Sequence, residues 1–188
     1  DAIIWLAEAG EQKRVVGMVR NLSDFFRTSL NQGKDINSIK EEMLHVKSYL
    51  EIQHVRYQDI LSYDIEVPEA LYIYSIPKIT IQPLVENALY HGIKNKRGMG
   101  HISIRGEAGE KDFTITVTDD GIGIDETRLR QVQSGIQNKV LTGKDFYGLY
   151  NVCERIRLNF GEEYGIFIES VYGEGTSVRV ILPYVEAK

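Results

Sequence analysis

The pattern of apolar and polar positions divides the chain near residue 60. Before that point, apolar residues recur every three or four positions, which is the period of a helix with one buried face. Two such stretches predict two long helices, folded back on each other at the polar segment "NQGKD" (31–35), with a break in the first helix near Gly10. After residue 60 the period changes to two, which is typical of half-buried β-strands.

The second part of the chain predicts strands and helices in a mixed order. In chain order the predicted elements are a strand at 61–67, a buried helix at 79–93 that ends at Gly92, a β-hairpin at 101–119, a short helix at 125–133, a mobile loop at 134–147, a helix ended by Gly161, and a closing β-hairpin at 165–184. This order predicts an α+β fold. We expect a two-layer α/β sandwich over residues 61–188, preceded by an α-helical hairpin over residues 1–60.

Composition and charge narrow the class of protein. With 188 residues, 43% hydrophobic and 26% charged, the chain is long enough for one domain and an added element. The net charge of −5 argues against a nucleic-acid partner, because binding phosphates requires a basic face. The single cysteine, Cys153, forms neither an internal disulfide nor a cysteine-rich metal finger. No apolar run reaches the ~18 residues of a membrane span, and the start of the chain does not resemble a signal peptide.

The first candidate site is the stretch "FTITVTDDGIGID" (113–125), where a strand runs into two carboxylates and a Gly-Ile-Gly step. A carboxylate at the end of a strand, such as Asp119, can accept a hydrogen bond from an exocyclic amine. Gly121 and Gly123 have no side chains to block the approach of a flat ring. A tight turn closed by the aspartate side chain is an alternative explanation for the same residues.

The second candidate site is the predicted helix "PLVENALYHG" (83–92), on which Asn87 and His91 are four residues apart and share a face. An amide oxygen such as that of Asn87 can ligate Mg²⁺, which keeps water and phosphate oxygens as its other ligands. His91 can then contact phosphate oxygens. The alternatives are a surface amide and a histidine that interacts favourably with the helix C terminus.

Two further segments contribute candidate residues. In "GKDFYGLYNV" (143–152), Gly148 at the start of a helix lets backbone N–H groups face an anion, and Lys144 adds positive charge. In "GEGTS" (173–177), Thr176 either hydrogen-bonds a ligand or simply occupies a strand. Each segment alone is also explained as an ordinary junction between a loop and a helix or strand.

Taken in order, these segments resemble the ATP-binding module shared by histidine kinases, Hsp90, DNA gyrase B and MutL, the Bergerat fold. "VENALYHG" is similar to its N box, "DDGIGI" to its G1 box, "FYGLYNV" to its G2 box and "GEGTSV" to the turn that follows, so the resemblance covers residues 61–185. It implies an ATP site with Mg²⁺. The nucleotide-binding residues that it implies are Asn87, His91, Lys94, Asp119, Gly121, Gly123, Lys144, Gly148, Leu149 and Thr176.

The resemblance also assigns roles within that site. Asp119 would bind the adenine amine together with a water molecule, and Asn87 would hold Mg²⁺. His91 and Lys94 would lie near the phosphates, while Gly148 and Leu149 would cover the phosphate tail.

The position four residues before Asn87 separates the members of this superfamily. The ATP-hydrolysing members place a general-base glutamate there, whereas this chain has Pro83. Glu86 directly precedes Asn87, about 100° around the helix, and so does not share its face. A kinase needs no such base, since its nucleophile is an imidazole and the protein supplies positioning and charge neutralisation.

The helical hairpin resembles one subgroup, the sensor histidine kinases of the LytS/YesM type. Segments such as "LSDFFRTSL" and "EEMLHVKSYLEIQHVRYQD" carry this resemblance. Members of the subgroup bear the acceptor histidine in an Asn-Pro-His-Phe motif that is absent here, so we expect the chain to begin just after it. None of the four histidines replaces that acceptor convincingly. We therefore expect the chain to bind ATP without phosphorylating itself at the usual site.

The resemblance further implies how the whole protein works. The γ-phosphoryl group of ATP would pass to a histidine and then to an aspartate of a response regulator, in a two-component phosphorelay. The hairpin would pair with a second copy of the chain in a four-helix bundle. Only N-terminal segments missing from this sequence would contact the membrane, so we expect the intact protein at the cytoplasmic side of the cell membrane and this fragment to be soluble and cytoplasmic.

One departure keeps two alternatives open. The G2 box of the family usually has Gly-x-Gly-Leu, and Phe146 stands here in place of the first glycine. A non-catalytic docking module with a degenerate nucleotide pocket is therefore the first alternative. A gyrase-like or Hsp90-like ATPase is the second and is less favoured because of Pro83.

Overall fold

A computed structural model describes residues 2–30, 35–138 and 147–187 of the chain. Its helices and strands follow an α+β order, in which a helical segment precedes a five-stranded sheet packed against helices. The predicted fold class is thereby confirmed. Within the described ranges, no helix is both long and apolar enough to cross a bilayer.

The first part of the chain forms three helices. They are α1 (Ala2–Glu8), α2 (Gln12–Leu30) and α3 (Ile39–Arg56). Gly10, with φ of 73°, lies in the break between α1 and α2 that the sequence predicts. A capping box begins α3, because the Ser38 hydroxyl accepts a hydrogen bond from the Glu41 N–H while the Glu41 carboxylate accepts one from the Ser38 N–H. The long helices α2 and α3 pack against each other as the predicted hairpin.

The strands form one large and one small sheet. In chain order they are β1 (Ile36–Ser38), β2 (Leu61–Glu66), β3 (Ser75–Pro77), β4 (Gly100–Ala108), β5 (Asp112–Asp119), β6 (Gly165–Val171) and β7 (Gly175–Pro183). The large sheet has the order β2-β4-β5-β7-β6, in which only the β2–β4 pair is parallel. Both predicted hairpins, β4–β5 and β6–β7, are present. The small antiparallel pair β1–β3 was not predicted from the sequence.

Three helices and several turns complete the second layer. The regular helices are α4 (Gln82–Asn87), α5 (Glu126–Asn138) and α6 (Tyr147–Phe160), and short 3₁₀ turns span Glu69–Leu71 and Ile93–Asn95. The helix predicted at 79–93 begins only at Gln82, because Ile79 is in the left-handed conformation, and it widens into a single π-helical turn over Ala88–Gly92. The prediction of a loop at 134–147 is wrong for residues 134–138, which continue α5, and for Tyr147, which begins α6. Val132 and Ile136 explain this continuation, since they lie four residues apart and are both buried.

One hydrophobic cluster joins α3 to the sandwich. Ile39, Met43 and Val46 of α3 belong to the same buried cluster as Ile81 and Leu84 beside and within α4. Leu6 and Met18, from α1 and α2, are buried apart from that cluster. The boundary between residues 60 and 61 stays a prediction, but the α3 side of the hairpin shares its core with the sandwich.

Candidate functional site

A cavity of about 260 Å³ opens where the π-helical turn meets the end of β5. Its apolar wall includes Leu84, Val117, Leu149, Ile168 and Val178, and its polar wall includes Asn87, His91, Asn95, Asp119, Arg128 and Thr176. A mainly apolar cavity with a few converging polar groups is the usual form of a small-molecule site, and this volume lies just below the ~300–1,000 Å³ range of such sites.

Asp119, the last residue of β5, is the buried acid of this cavity. Its side chain is 5% exposed, and its Oδ1 atom accepts a hydrogen bond of 2.9 Å from the backbone N–H of Gly121. Burial raises the pKa of Asp119 to about 6, with a smaller contribution from the charge of Asp120. Backbone hydrogen bonds from Gly121 and Thr176 act in the opposite direction. The tight turn closed by the aspartate side chain, which was the alternative explanation of this motif, is therefore present. The same carboxylate also lines the cavity.

The glycines near Asp119 allow close contacts between backbone segments of the protein. A Cβ atom on Gly121 would lie 2.4 Å from the Cα atom of Gly92 and 2.6 Å from Asp119 Oδ1. At Gly123 the backbone has φ of 65°, and a Cβ atom would lie 2.1 Å from the carbonyl oxygen of Val171. Gly123 lines the cavity, whereas Gly121 is buried and lies outside the described cavity wall. These contacts, and not only the approach of a ligand, exclude larger residues.

Asn87 and His91 both line the cavity, as their spacing predicted. Lys94 does not join them, because its side chain points to the hairpin side and lies outside the cavity wall that the described residues form. The Nζ atom of Lys94 is 5.1 Å from the ring centroid of Tyr57 and 4.8 Å from that of Tyr90. It also donates a hydrogen bond of 3.3 Å to the hydroxyl of Tyr57. This cation–π arrangement holds Lys94 away from the position near the phosphates that the resemblance implies.

Some of the remaining predicted residues line the cavity and others do not. Leu149 and Thr176 line the cavity, and the Thr176 hydroxyl lies 2.9 Å from the hydroxyl of Ser170. Gly148 is exposed at the second residue of α6 and lies outside the described cavity wall. Lys144 and Phe146 are outside the described residues, as is the part of the predicted loop from 139 to 146.

Several cavity residues were not predicted from the sequence. Asn95 lies four residues after His91, and this spacing was a signal that could have identified it. Arg128 in the first turn of α5 and Tyr172 in the β6–β7 turn also line the cavity. No motif includes Arg128 or Tyr172, because the fold alone brings them to the cavity from separate elements.

The donor atoms of the cavity fit a magnesium ion carried by a nucleotide. Within the described ranges, no three or more His, Cys, Asp and Glu side chains are grouped so that they could hold a metal ion. Asn87 offers an amide oxygen at the cavity wall. Mg²⁺ commonly binds through one or two protein oxygens, with water and substrate phosphates as its other ligands. The residues therefore suit Mg²⁺ that arrives with phosphates better than Mg²⁺ alone.

Comparison with known sequences identifies two matching families. The histidine kinase-, DNA gyrase B-, and HSP90-like ATPase family matches residues 77–186, and the histidine kinase family matches residues 1–61. The chain is similar to the sensor histidine kinase YesM of Bacillus subtilis (strain 168), with 34% identity over 183 residues. The aligned region covers 97% of this chain and 30% of YesM, so the chain spans less than a third of that relative.

Comparison with solved structures finds the same fold. The catalytic domain of histidine kinase ThkA has a TM-score of 0.57 and 16% identity, over 81% of this chain and 97% of that domain. Histidine kinase ThkA in complex with the response regulator protein TrrA has a TM-score of 0.57 and 17% identity, over 91% of this chain and 49% of that kinase chain. At these identities, the similarity concerns the fold.

Proposed function

Because the chain belongs to the histidine kinase-, DNA gyrase B-, and HSP90-like ATPase family, we propose that it is the ATP-binding kinase portion of a sensor histidine kinase. The single observation that carries this proposal is the buried carboxylate of Asp119 on the wall of a mainly apolar cavity. An acceptor in that position suits the exocyclic amine of adenine, while the apolar wall suits the faces of the ring.

Other residues of the cavity wall suit the phosphates. Asn87 would offer its amide oxygen to Mg²⁺, and His91 would donate to phosphate oxygens. The Asn95 side-chain amide instead donates to the carbonyl oxygens of Tyr90 and His91, both at 3.1 Å, and so braces the turn that carries His91. The N terminus of α6 begins at Tyr147, where backbone N–H groups of Gly148 and Leu149 favour an anion. When bound, the metal would neutralise phosphate charge, and the chain's own residues would orient the nucleotide.

The placement of Glu86 favours a kinase over an ATPase. Glu86 Oε1 accepts a hydrogen bond of 2.8 Å from Gln82 Nε2, and neither Glu86 nor Pro83 is part of the described cavity wall. A glutamate held there is not in position to activate a water molecule beside the phosphates. We therefore propose transfer of the γ-phosphoryl group to a histidine outside this sequence, and from there to an aspartate of a response regulator.

The partners of the intact protein are part of the same proposal. Exposed apolar side chains along α1 and α2 support pairing with a second copy of the chain. We further propose a response regulator as a partner, which similarity to sensor histidine kinases supports. The proposed location is the cytoplasmic side of the cell membrane, with membrane contact only through segments outside this sequence.

Binding of a non-hydrolysable ATP analogue by Asp119→Asn tests the proposed site. The side-chain amide of this variant can present one oxygen, which either Gly121 N–H or the adenine amine can use, but it lacks the carboxylate charge. A hydrogen bond to a charged group contributes about 1.5–3 kcal/mol, so we expect affinity to fall by about 10-fold or more in calorimetric titration.

Asp120→Asn is the matched control for this test. Asp120 is adjacent and exposed, accepts from the His101 N–H at 2.7 Å and pairs with Lys96 at 2.9 Å, so its loss should leave nucleotide affinity unchanged. If the unaltered chain does not bind the analogue, or Asp119→Asn binds it equally well, the ATP site is refuted and a docking module without nucleotide becomes the better explanation.

A further inference from the structure

The N terminus of α4 is held by a carboxylate from the helical hairpin. Glu42 of α3 is fully buried, and its Oε1 atom accepts hydrogen bonds from the backbone N–H groups of Thr80 at 2.7 Å and Ile81 at 2.8 Å. Its Oε2 atom accepts a third from the N–H of Ile79 at 3.1 Å. These N–H groups belong to the turn that leads into α4, whose first residue is Gln82. A buried carboxylate from a different element thus satisfies three backbone donors and holds this turn in place.

The turn that Glu42 binds has a strained backbone, which a second side chain also holds. Ile79 has φ of 56°, a left-handed conformation that is rare for a β-branched residue. Arg155 of α6 donates a hydrogen bond of 2.7 Å from Nη2 to the carbonyl oxygen of Ile79. Burial raises the pKa of Glu42, while the charge of Glu42 raises that of Arg155 against a larger decrease caused by burial. The strained turn persists because groups on both sides of it are bound.

A second contact fixes the same face of α4. The Nε2 atom of buried His45 donates a hydrogen bond of 2.5 Å to Gln82 Oε1, since Gln82 Nε2 itself donates to Glu86 at 2.8 Å. His45 is held in turn by the Thr28 hydroxyl, 2.8 Å from Nδ1, and by the stacked ring of Phe25 at 4.7 Å. One face of α4 therefore rests on the hairpin, while Asn87 faces the cavity.

From these contacts we propose that Glu42 is a positioning residue of the nucleotide site. By fixing the turn that leads into α4, it sets the orientation in which Asn87 meets the metal. This inference rests on the proposed function, because it assigns Asn87 to magnesium. Base recognition is assigned to Asp119, which lies on β5 and not on α4.

The test compares how much Mg²⁺ strengthens nucleotide binding in two variants of α3. In Glu42→Gln, the amide nitrogen cannot accept the hydrogen bond from one of the N–H groups, so the turn before α4 loses part of its support. Binding of a non-hydrolysable ATP analogue is titrated once with Mg²⁺ and once with EDTA. We expect affinity in EDTA to remain unchanged and the strengthening by Mg²⁺ to fall about 10-fold, as for loss of a group that orients a metal ligand.

Glu51→Gln is the matched control. Glu51 lies on the same helix, and its Oε1 atom accepts a hydrogen bond of 2.5 Å from the hydroxyl of Tyr63 on β2, not from α4. Its loss should reduce the free energy of unfolding in urea without changing the effect of Mg²⁺. A purely structural role for Glu42 would instead weaken binding equally with Mg²⁺ and with EDTA, and that result would overturn the inference.

A measurement on the unaltered chain covers the case in which Glu42→Gln does not fold. Coupling is reciprocal, so the Mg²⁺–analogue complex should slow hydrogen exchange at the Thr80 and Ile81 amides more than the analogue in EDTA does. Equal exchange in both conditions would refute the positioning role. Absence of any analogue binding by the unaltered chain would refute the proposed function itself, which is a different outcome.

Discussion

At the scale of single residues, Asp119 places binding and stability in conflict. A carboxylate at 5% exposure is poorly hydrated, and it is stabilised mainly by backbone N–H groups, with a smaller contribution from the charge of Lys96. Its pKa of about 6 keeps it largely ionised at neutral pH, where it acts as an acceptor only. The cavity therefore retains an acceptor that costs folding free energy until a donor binds to it.

This conflict predicts a pH dependence of folding. The folded pKa of about 6 exceeds the ordinary value of 3.8, so the folded state binds the proton more tightly and stability falls as pH rises between these values. The free energy of unfolding should fall by about 3 kcal/mol in total. This loss is absent below pH 4 and complete above pH 6 to 7. Urea unfolding of the unaltered chain, compared with Asp119→Asn at each pH, measures it. A difference between the two proteins that stays constant from pH 4 to pH 7 would contradict the assigned pKa.

At the scale of elements, the alternating strands were the most predictable part. The hairpins β4–β5 and β6–β7 follow directly from alternation, because each has one face in the core and one in solvent. The strands β1 and β3 have only three residues each, too few to show a period. The continuation of α5 rests on just two buried residues, Val132 and Ile136, and the sequence around them is mostly polar.

The candidate site was predictable where its residues stand in local motifs. Asn87, His91, Asp119 and Thr176 line the cavity because their motifs occupy strand and helix ends that meet in this fold. Lys94 was assigned from the family resemblance, and its cation–π contacts with Tyr57 after α3 and with Tyr90 of the π-helical turn could not be anticipated. The contact of Glu42 with the turn before α4 could not be anticipated either, since a charged residue in a helix pattern is normally placed in solvent.

The start of α6 supplies a prediction about one glycine. A Cβ atom on Gly148 would meet only Pro83 Cβ, at 3.8 Å, so Gly148→Ala should fold and gain up to about 0.5–1 kcal/mol from helix propensity. If the backbone of Gly148 approaches the phosphates, the added methyl group should weaken ATP-analogue binding by about 10-fold, the effect of losing one hydrogen bond to a charged group. Calorimetric titration and urea unfolding measure the two effects.

Gly17→Ala provides the control for that helix substitution. Gly17 lies within α2, and a Cβ atom there would meet nothing within 4 Å. This variant should gain similar stability while nucleotide affinity stays the same. If Gly148→Ala binds the analogue as tightly as the unaltered chain, the helix start does not contact the phosphates closely.

At the scale of the whole molecule, the two faces of the helical hairpin have different roles. The α3 face joins the core of the sandwich and holds α4, which links the hairpin to the cavity. The outer face of α2 instead leaves Val16 at 57%, Val19 at 49%, Phe26 at 54% and Leu30 at 72% exposure. These residues recur at intervals of three, seven and four, which is the spacing of a helix seam that packs against another helix. A second copy of the chain suits this seam, because its own seam is equally apolar.

Self-association measured by sedimentation tests this arrangement. Phe26→Glu places a charge in the middle of the seam, and loss of a buried aromatic contact should weaken association at least about 10-fold. Leu158→Glu is the control, since Leu158 is 84% exposed on α6 and lies outside the seam. Both variants should bind the ATP analogue as the unaltered chain does, because neither residue lines the cavity. A chain that remains monomeric at all concentrations, or a Leu158→Glu variant that dissociates equally, would remove the basis for pairing through α2 and leave this apolar face to another partner.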